Sequence, residues 1–287
     1  MAVLEAYKGV YYLWKYLPSL AASIIFMILF LLITCLHICR IYKYRTWFCI
    51  YFALGCFFRL TAIPTGEVIG YASRAAAYNN TASIPIYILQ AAFLVTAPAF
   101  YAASLYMTLS RTMHALHATH LSPIRVSRLT KIFVIGDMLS LNIQGGASSL
   151  ASHPKTAQVG SDLVVAGLIV QLLLLGVFFV TAVVFQVRFV RESRGESLVP
   201  WRKTLGMVYG VCGLIFARSV FRVVEYVQGA DGFCLRHEWT LYVFDAVPML
   251  VVAMLFWVWW PGFVVEADER GEEAVELNRR QRIGIRK

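Results

Sequence analysis

Residues 204–227, TLGMVYGVCGLIFARSVFRVVEYV, form an apolar run interrupted by charge. About 20 apolar residues at ~1.5 Å per residue cross the ~30 Å hydrocarbon layer of a bilayer, and this run is long enough. It nevertheless carries Arg218, Arg222 and Glu225. A charged side chain at the centre of a spanning helix costs ~2.5–3.5 kcal/mol on insertion scales, so such residues turn inward and pair. Their i, i+4, i+7 spacing puts all three on one stripe. The stretch is therefore one helix of a bundle whose interior is polar in places.

Six more apolar runs occupy 17–39, 46–70, 84–110, 129–150, 162–187 and 240–263. Together with 204–227 they predict a single all-α domain over 1–263, a bundle of seven transmembrane helices, followed by a charged tail over 264–287. Composition agrees. Of 287 residues, 59% are hydrophobic and only 15% charged, with a mean hydropathy of +0.66. Water-soluble domains are nearer ~45–50% apolar and ~25% charged, which disfavours a soluble fold and a disordered chain alike. The first run is too long for a signal-peptide core and is followed by further spans, so the N-terminus is expected to be retained.

The formal net charge of +10 reads as topology rather than as affinity for nucleic acid. Arg40, Lys43 and Arg45 follow run one, Arg111, Arg125, Arg128 and Lys131 follow run three, and Arg188, Arg191, Arg194, Arg202 and Lys203 follow run five. The alternate loops hold only Arg74, Lys155 and Arg236. The positive-inside rule then predicts an outside N-terminus and a cytoplasmic C-terminus. Asn79-Asn80-Thr81 makes Asn79 a candidate glycosylation site in a loop predicted to lie outside. The tail ends Arg279-Arg280-Gln281-Arg282 and Arg286-Lys287, basic enough to lie near an anionic leaflet.

Polar residues recur inside the other runs. Arg59 and Glu67 lie in run two, Asp137 in run four and Asp245 in run seven. Asp137, Ser140 and Gln144 form an i, i+3, i+7 stripe, which the small residues Gly145-Gly146-Ala147-Ser148-Ser149 continue as a surface for close helix approach. Glu67, Gly70 and Arg74 repeat the spacing beyond a kink expected at Pro64, while Gln90 and Gln171 add amides to runs three and five and Pro98 and Pro248 interrupt runs three and seven. The three cations and four anions within the runs suit mutual pairing. They either staple helices together or line a polar or amphipathic pathway.

Other chemistry is set aside. His114-x-x-His117-x-x-His120 could place ligands on one side of a helix, but His37, His153 and His237 are scattered, so no metal site is expected. The six cysteines contain no C-x-x-C pair, and neither a disulfide framework nor a zinc site follows. No nucleophile elbow, Walker A or dinucleotide fingerprint occurs, so no catalytic residue and no cofactor is expected. Tryptophans and tyrosines at run ends, among them Trp14, Tyr16, Tyr42, Trp47, Trp239, Trp257, Trp259 and Trp260, read as an interfacial belt.

Six ordered motifs carry a resemblance. They are Tyr16-x-Pro18-Ser19, Glu67-x-x-Gly70-Tyr71-x-x-Arg74, Ala97-Pro98-x-x-Tyr101-Ala102-Ala103-Ser104-x-Tyr106-Met107, Gly136-Asp137-x-x-Ser140-x-x-x-Gln144, Gly167-Leu168-x-x-Gln171, and a run across the last two spans. The last comprises Arg218-x-x-Phe221-Arg222-x-x-Glu225-x-x-x-Gly229 and Glu238-x-x-x-Tyr242-x-Phe244-Asp245-x-x-Pro248, closing with Pro261-Gly262. From Tyr16 to Gly262 the chain resembles the fungal lipid-translocating exporter family, whose members include an aminocholesterol-resistance protein, a sphingoid long-chain-base exporter and a porphyrin transporter. The family pattern differs in three places: Gly145-Gly146 follow Gln144 directly, Trp260 precedes the final Pro-Gly where a His is usual, and no Asn stands around Ser23.

The resemblance implies a multi-pass plasma-membrane protein, not an enzyme, that translocates or exports amphipathic lipids or lipid-like toxic compounds of sphingoid-base type. Its partners would be membrane lipids or amphipathic small molecules. It implies Glu67, Arg74, Asp137, Gln144, Gln171, Arg218, Arg222, Glu225, Glu238 and Asp245 as substrate-pathway residues. A seven-span sensor or stress-response modulator without transport activity is the alternative, with the core charges as a two-state lock.

Overall fold

The computed structural model describes residues 19–43, 62–78, 83–151, 157–193, 201–229 and 232–259. Seven helices account for most of them. These are α1 (Leu20–Lys43), α2 (Ala62–Ala77), α3 (Ile84–Ala115), α4 (Val126–Ala151), α5 (Ala157–Ser193), α6 (Trp201–Gln228) and α7, which runs from Glu238 to Val258 through a π-helical turn at Tyr242–Ala246. Arg59, Asn79 and the tail lie outside the described residues, as do Trp14, Tyr16, Trp47 and Trp260.

Each helix packs on its neighbour in sequence, and α7 returns to α1, closing a ring. Helix α3 also touches α6 across the ring, and it is the most enclosed of the long apolar helices: 67% of its most apolar stretch is buried, against 28% for α1 and α5. Five helices (20–40, 93–115, 158–192, 201–228 and 238–258) are long and apolar enough to cross a membrane. The burial pattern is inverted relative to a water-soluble protein. Leu173, Val180, Ile135 and Val227 are exposed at 58–68%, whereas Glu67, Arg74, Asp137, Arg218, Glu225 and Asp245 are all at 5% or below. Lipid tails are as apolar as leucine, so exposed apolar residues cost nothing in a bilayer while the polar ones gather inside. This is a multi-pass membrane protein.

The π turn in α7 has a local cause. The turn directly precedes Pro248, which has no N–H to bond the carbonyl of Phe244, and the Val247 N–H reaches back to the Tyr242 carbonyl instead. Pro98 is accommodated differently, since α3 continues through it as an α-helix.

Close helix approach depends on different glycines from those singled out by the run after Gln144. A Cβ on Gly167 would meet Gln144 Cγ at 2.8 Å, one on Gly136 would meet Leu174 Cδ1 at 2.6 Å, and one on Gly70 would meet Leu94 Cδ2 at 2.8 Å. Gly145 and Gly146 are exposed with nothing within 4 Å of such an atom. Register explains this, because Leu129, Phe133, Asp137, Ser140, Gln144 and Ala147 make the buried stripe of α4, and positions 145 and 146 rotate away from it.

The histidine run also behaves differently from the helical face its spacing suggested. Helix α3 ends at Ala115, His117 takes a left-handed backbone (φ 48°), and His120 sits in a 3-10 turn, where it meets Glu192 of α5 at 3.0 Å. Among the described residues, no three His, Cys, Asp or Glu side chains converge as metal ligands would.

The bundle ends differ in charge. Arg40, Arg111, Arg125, Arg128, Lys131, Arg188, Arg191, Arg202 and Lys203 all lie at the end where α1, α3 and α5 finish and α4 and α6 begin. This is the basic end. There Arg40 stacks on Trp257 and bonds its carbonyl, while Lys203 stacks on Trp259. Trp239, at the opposite end, is half exposed.

Candidate functional site

The described candidate residues fall into three clusters rather than one. The first joins α6 to α7. Asp245 extends one carboxylate oxygen to Arg218 and the other to Arg222, and Arg222 also donates to Glu225 at 2.8 Å. Arg218 donates its remaining Nη2 to the carbonyl of Leu94 in α3 at 2.8 Å, using a backbone group opposite α6. Each guanidinium is thus shared between partners, the arrangement in which a buried charge pair is tolerated. Glu67 of α2, 2% exposed, lies within electrostatic range of Arg218, Arg222 and Asp245.

The second cluster joins α1, α2 and α7 at the end opposite the basic one. Arg74, 1% exposed, pairs with Glu238 at 2.9 Å and donates from Nε to the Tyr242 hydroxyl at 3.1 Å. Tyr242 in turn donates to Glu238 at 3.0 Å and meets Ser23 at 3.2 Å. Glu238 also accepts the backbone N–H of Ser19, at the start of α1. Aromatic rings cover this cluster: Phe26 stacks on Tyr242 at 5.0 Å and on Tyr71 at 5.7 Å. Ser19, the last residue of the first motif, and the motifs beginning at residues 67 and 238 therefore meet in one place.

The third cluster joins α3, α4 and α5. Asp137 accepts the Tyr106 hydroxyl at 2.9 Å, and the Tyr106 ring packs against those of Phe133 and Phe178. Next along α4, Ser140 donates to the Gly167 carbonyl at 2.5 Å, and Gln144 donates to Ser140 at 3.0 Å and to Gln171 at 3.3 Å. Gly167 permits this because its carbonyl can come against α4 only where no Cβ intervenes.

Tyrosines are what sequence reasoning missed. Tyr71, Tyr101, Tyr106 and Tyr242 all stand within the quoted motifs, but only their rings distinguished them from ordinary apolar positions. Among the described residues, Tyr71 Oη, Tyr101 Oη, Gln90 Oε1, Asp137 Oδ1 and the Nε of Arg218 and of Arg222 are buried without a hydrogen-bond partner, Arg218 Nε being in ion-pair contact with Asp245. Tyr71 and Tyr101 both lie near Glu67. Unsatisfied hydroxyls beside a carboxylate give the first cluster hydrogen-bonding capacity that its own ion pairs do not use.

Depth along the helices separates the clusters. Arg218 stands ten residues from the end of α6, roughly 15 Å at ~1.5 Å per residue, and so near the middle of a ~30 Å layer. Asp245 is seven residues beyond Glu238, roughly 10 Å deeper by the same rise. The buried Arg, Asp and Glu side chains described here occupy the middle of the bundle and the half away from the basic end.

A family model described as RTA1 like protein matches residues 60–268. The chain belongs to this RTA1-like family. It is 30% identical to protein RTA1 of Saccharomyces cerevisiae, over 96% of this chain and 92% of that protein. Protoporphyrin uptake protein 1 of the same yeast is 35% identical over 66% of this chain and 63% of its own length. A sphingoid long-chain base transporter, RSB1, also of that yeast, is 25% identical over 86% of this chain and 72% of its own. Coverage is thus uneven, and two of the curated relatives are matched over only 62% and 63% of their own length. No solved structure matches the chain.

Proposed function

We propose that this protein is a seven-span membrane protein with its N-terminus outside and its C-terminus in the cytoplasm, resident in the plasma membrane, that moves amphipathic lipids or lipid-like toxic compounds between leaflets, in the export direction. The observation that carries the reading is the bridged Arg218–Asp245–Arg222–Glu225 group, buried between the middle of the bundle and the end away from the basic one, behind an outer face that is apolar. In a bilayer, charges held at that cost mark a pathway or a lock.

The relatives support a lipid-like substrate, since one is named a sphingoid long-chain base transporter and another a protoporphyrin uptake protein. In this reading the headgroup passes through the polar middle while the tail stays in lipid. Glu67, Arg218, Arg222, Glu225 and Asp245 handle the headgroup from mid-depth toward the outer end, Arg74 and Glu238 close the outer end, and Asp137, Gln144 and Gln171 supply a second polar seam. The basic end would face the cytoplasm. Modification of Asn79 in yeast cells, lost in Asn79→Gln, tests the orientation; an unmodified Asn79 together with a protease-accessible tail outside would reverse it.

The transport test uses purified protein in liposomes and follows fluorescent sphingoid bases, phospholipids and porphyrin between leaflets, with Glu225→Gln as comparison. Protein-dependent movement that the variant loses supports translocation. The closed ion-pair group also suits a two-state sensor, and movement of no lipid by well-folded protein would favour that second reading.

A further inference from the structure

A groove of about 360 Å³ opens on the lipid-facing side between α5 and α6, near the basic end and remote from the three polar clusters. Its walls are Gln186 and Val190 of α5 and Trp201, Arg202, Leu205, Gly206 and Tyr209 of α6. The volume lies within the range of ligand sites, roughly 300–1,000 Å³. The two polar groups at its deep end are already engaged, because the Tyr209 hydroxyl donates to Gln186 at 2.5 Å and also lies 3.3 Å from the Ala182 carbonyl. What remains between them and the mouth is apolar wall.

The mouth is cationic. Arg202 is exposed in the first turn of α6, its guanidinium 5.3 Å from the Trp201 ring, and Arg191 is exposed in the last turn of α5. The whole surrounding end of the bundle is basic. Trp201 is itself fixed by edge-on packing against Phe189 at 5.3 Å, so the groove has a rigid floor. From Tyr209 to Arg202 is seven residues, roughly 10 Å at ~1.5 Å per residue, so the cation stands at headgroup level when the deep end lies in the hydrocarbon.

We infer that this groove binds an acidic phospholipid, one acyl chain lying between α5 and α6 and the phosphate seated on Arg202. An apolar slot beneath a fixed cation matches an anionic lipid on both counts, and a juxtamembrane cation favours anionic over zwitterionic headgroups. Gly206 gives the slot its opening: nothing lies within 4 Å of the position its Cβ would occupy. The site is separate from the proposed pathway, and its occupancy is read by binding alone.

The experiment uses the full chain in nanodiscs of phosphatidylcholine containing a trace of acyl-chain-photoactivatable phosphatidylserine, with crosslinked residues mapped by mass spectrometry. Wild type should crosslink within 186–190 and 201–209, and unlabelled phosphatidylserine should compete about fivefold better than phosphatidylcholine, the worth of one cation at an anionic surface. Arg202→Gln should keep the crosslink and lose the preference. Gly206→Leu should fill the slot and abolish the crosslink with thermal melting unchanged; should that variant not fold, the exposed Arg202→Gln substitution decides. Absence of crosslinking at these residues in wild type, equal competition by the two lipids, or an undiminished preference in Arg202→Gln would overturn the assignment.

Discussion

Both carboxylate oxygens of Glu238 stand 2.9 Å from the backbone nitrogen of Ser19, 219 residues earlier in the chain. The start of α1 is thus capped by a side chain from the start of α7. A carboxylate at a helix N-terminus satisfies an otherwise orphaned N–H and complements the positive end of the helix dipole. The same carboxylate neutralises Arg74, one of the most deeply buried side chains described.

Glu238→Ala should therefore destabilise the fold markedly. Removing one partner of a buried pair strands the other charge, at a cost on the order of 3–5 kcal/mol. Thermal unfolding in detergent should show a drop of several degrees, and the double variant with Arg74→Ala should be little worse than either alone. Additive losses would mean that the two side chains act independently.

The two carboxylates of the α6–α7 group should separate in a mutational test. Asp245 bridges two guanidiniums, whereas Glu225 serves Arg222, which keeps Asp245 when Glu225 is neutralised. Asp245→Asn is expected to lower the yield of monodisperse protein severalfold. Glu225→Gln should leave yield near wild type, which is why it is the better probe of transport. Equal yields of the two variants would contradict the bridging geometry.

Tyr106→Phe should leave Asp137 without a hydrogen-bond donor among the described residues, since its Oδ1 already lacks one. The expected loss is roughly 1–3 kcal/mol, the cost of a buried polar atom left unmade. Chemical denaturation of Tyr106→Phe against wild type measures it. A variant as stable as wild type would mean that Asp137 finds another donor.

Glycine substitutions should sort by contact. Gly167→Ala places a methyl 2.8 Å from Gln144 Cγ and 3.4 Å from the Ser140 carbonyl, so α4 and α5 must part or Gln144 must move. It should destabilise. Gly145→Ala and Gly146→Ala meet open space, and alanine is the better helix former by up to about 1 kcal/mol, so both should be neutral or mildly stabilising. The same unfolding assay distinguishes the two groups.

Hydrophobic runs, charge spacing and motif order made the membrane class, the helical elements, the inward stripe of α6 and the family legible, because these depend on composition and on the 3.6-residue period. Arg218, Arg222 and Glu225 on one stripe needed only counting. Pairing did not follow from counting. That Asp245 bridges two arginines and that Asp137 belongs to a tyrosine rather than to the arginine group depend on which faces of neighbouring helices meet, and that Glu238 caps α1 depends on the ring closure of α7 onto α1. The same holds for the glycines: Gly167 and Gly145 are alike in sequence, and only the rotation of each helix about its axis decides which one meets a backbone and which one meets lipid.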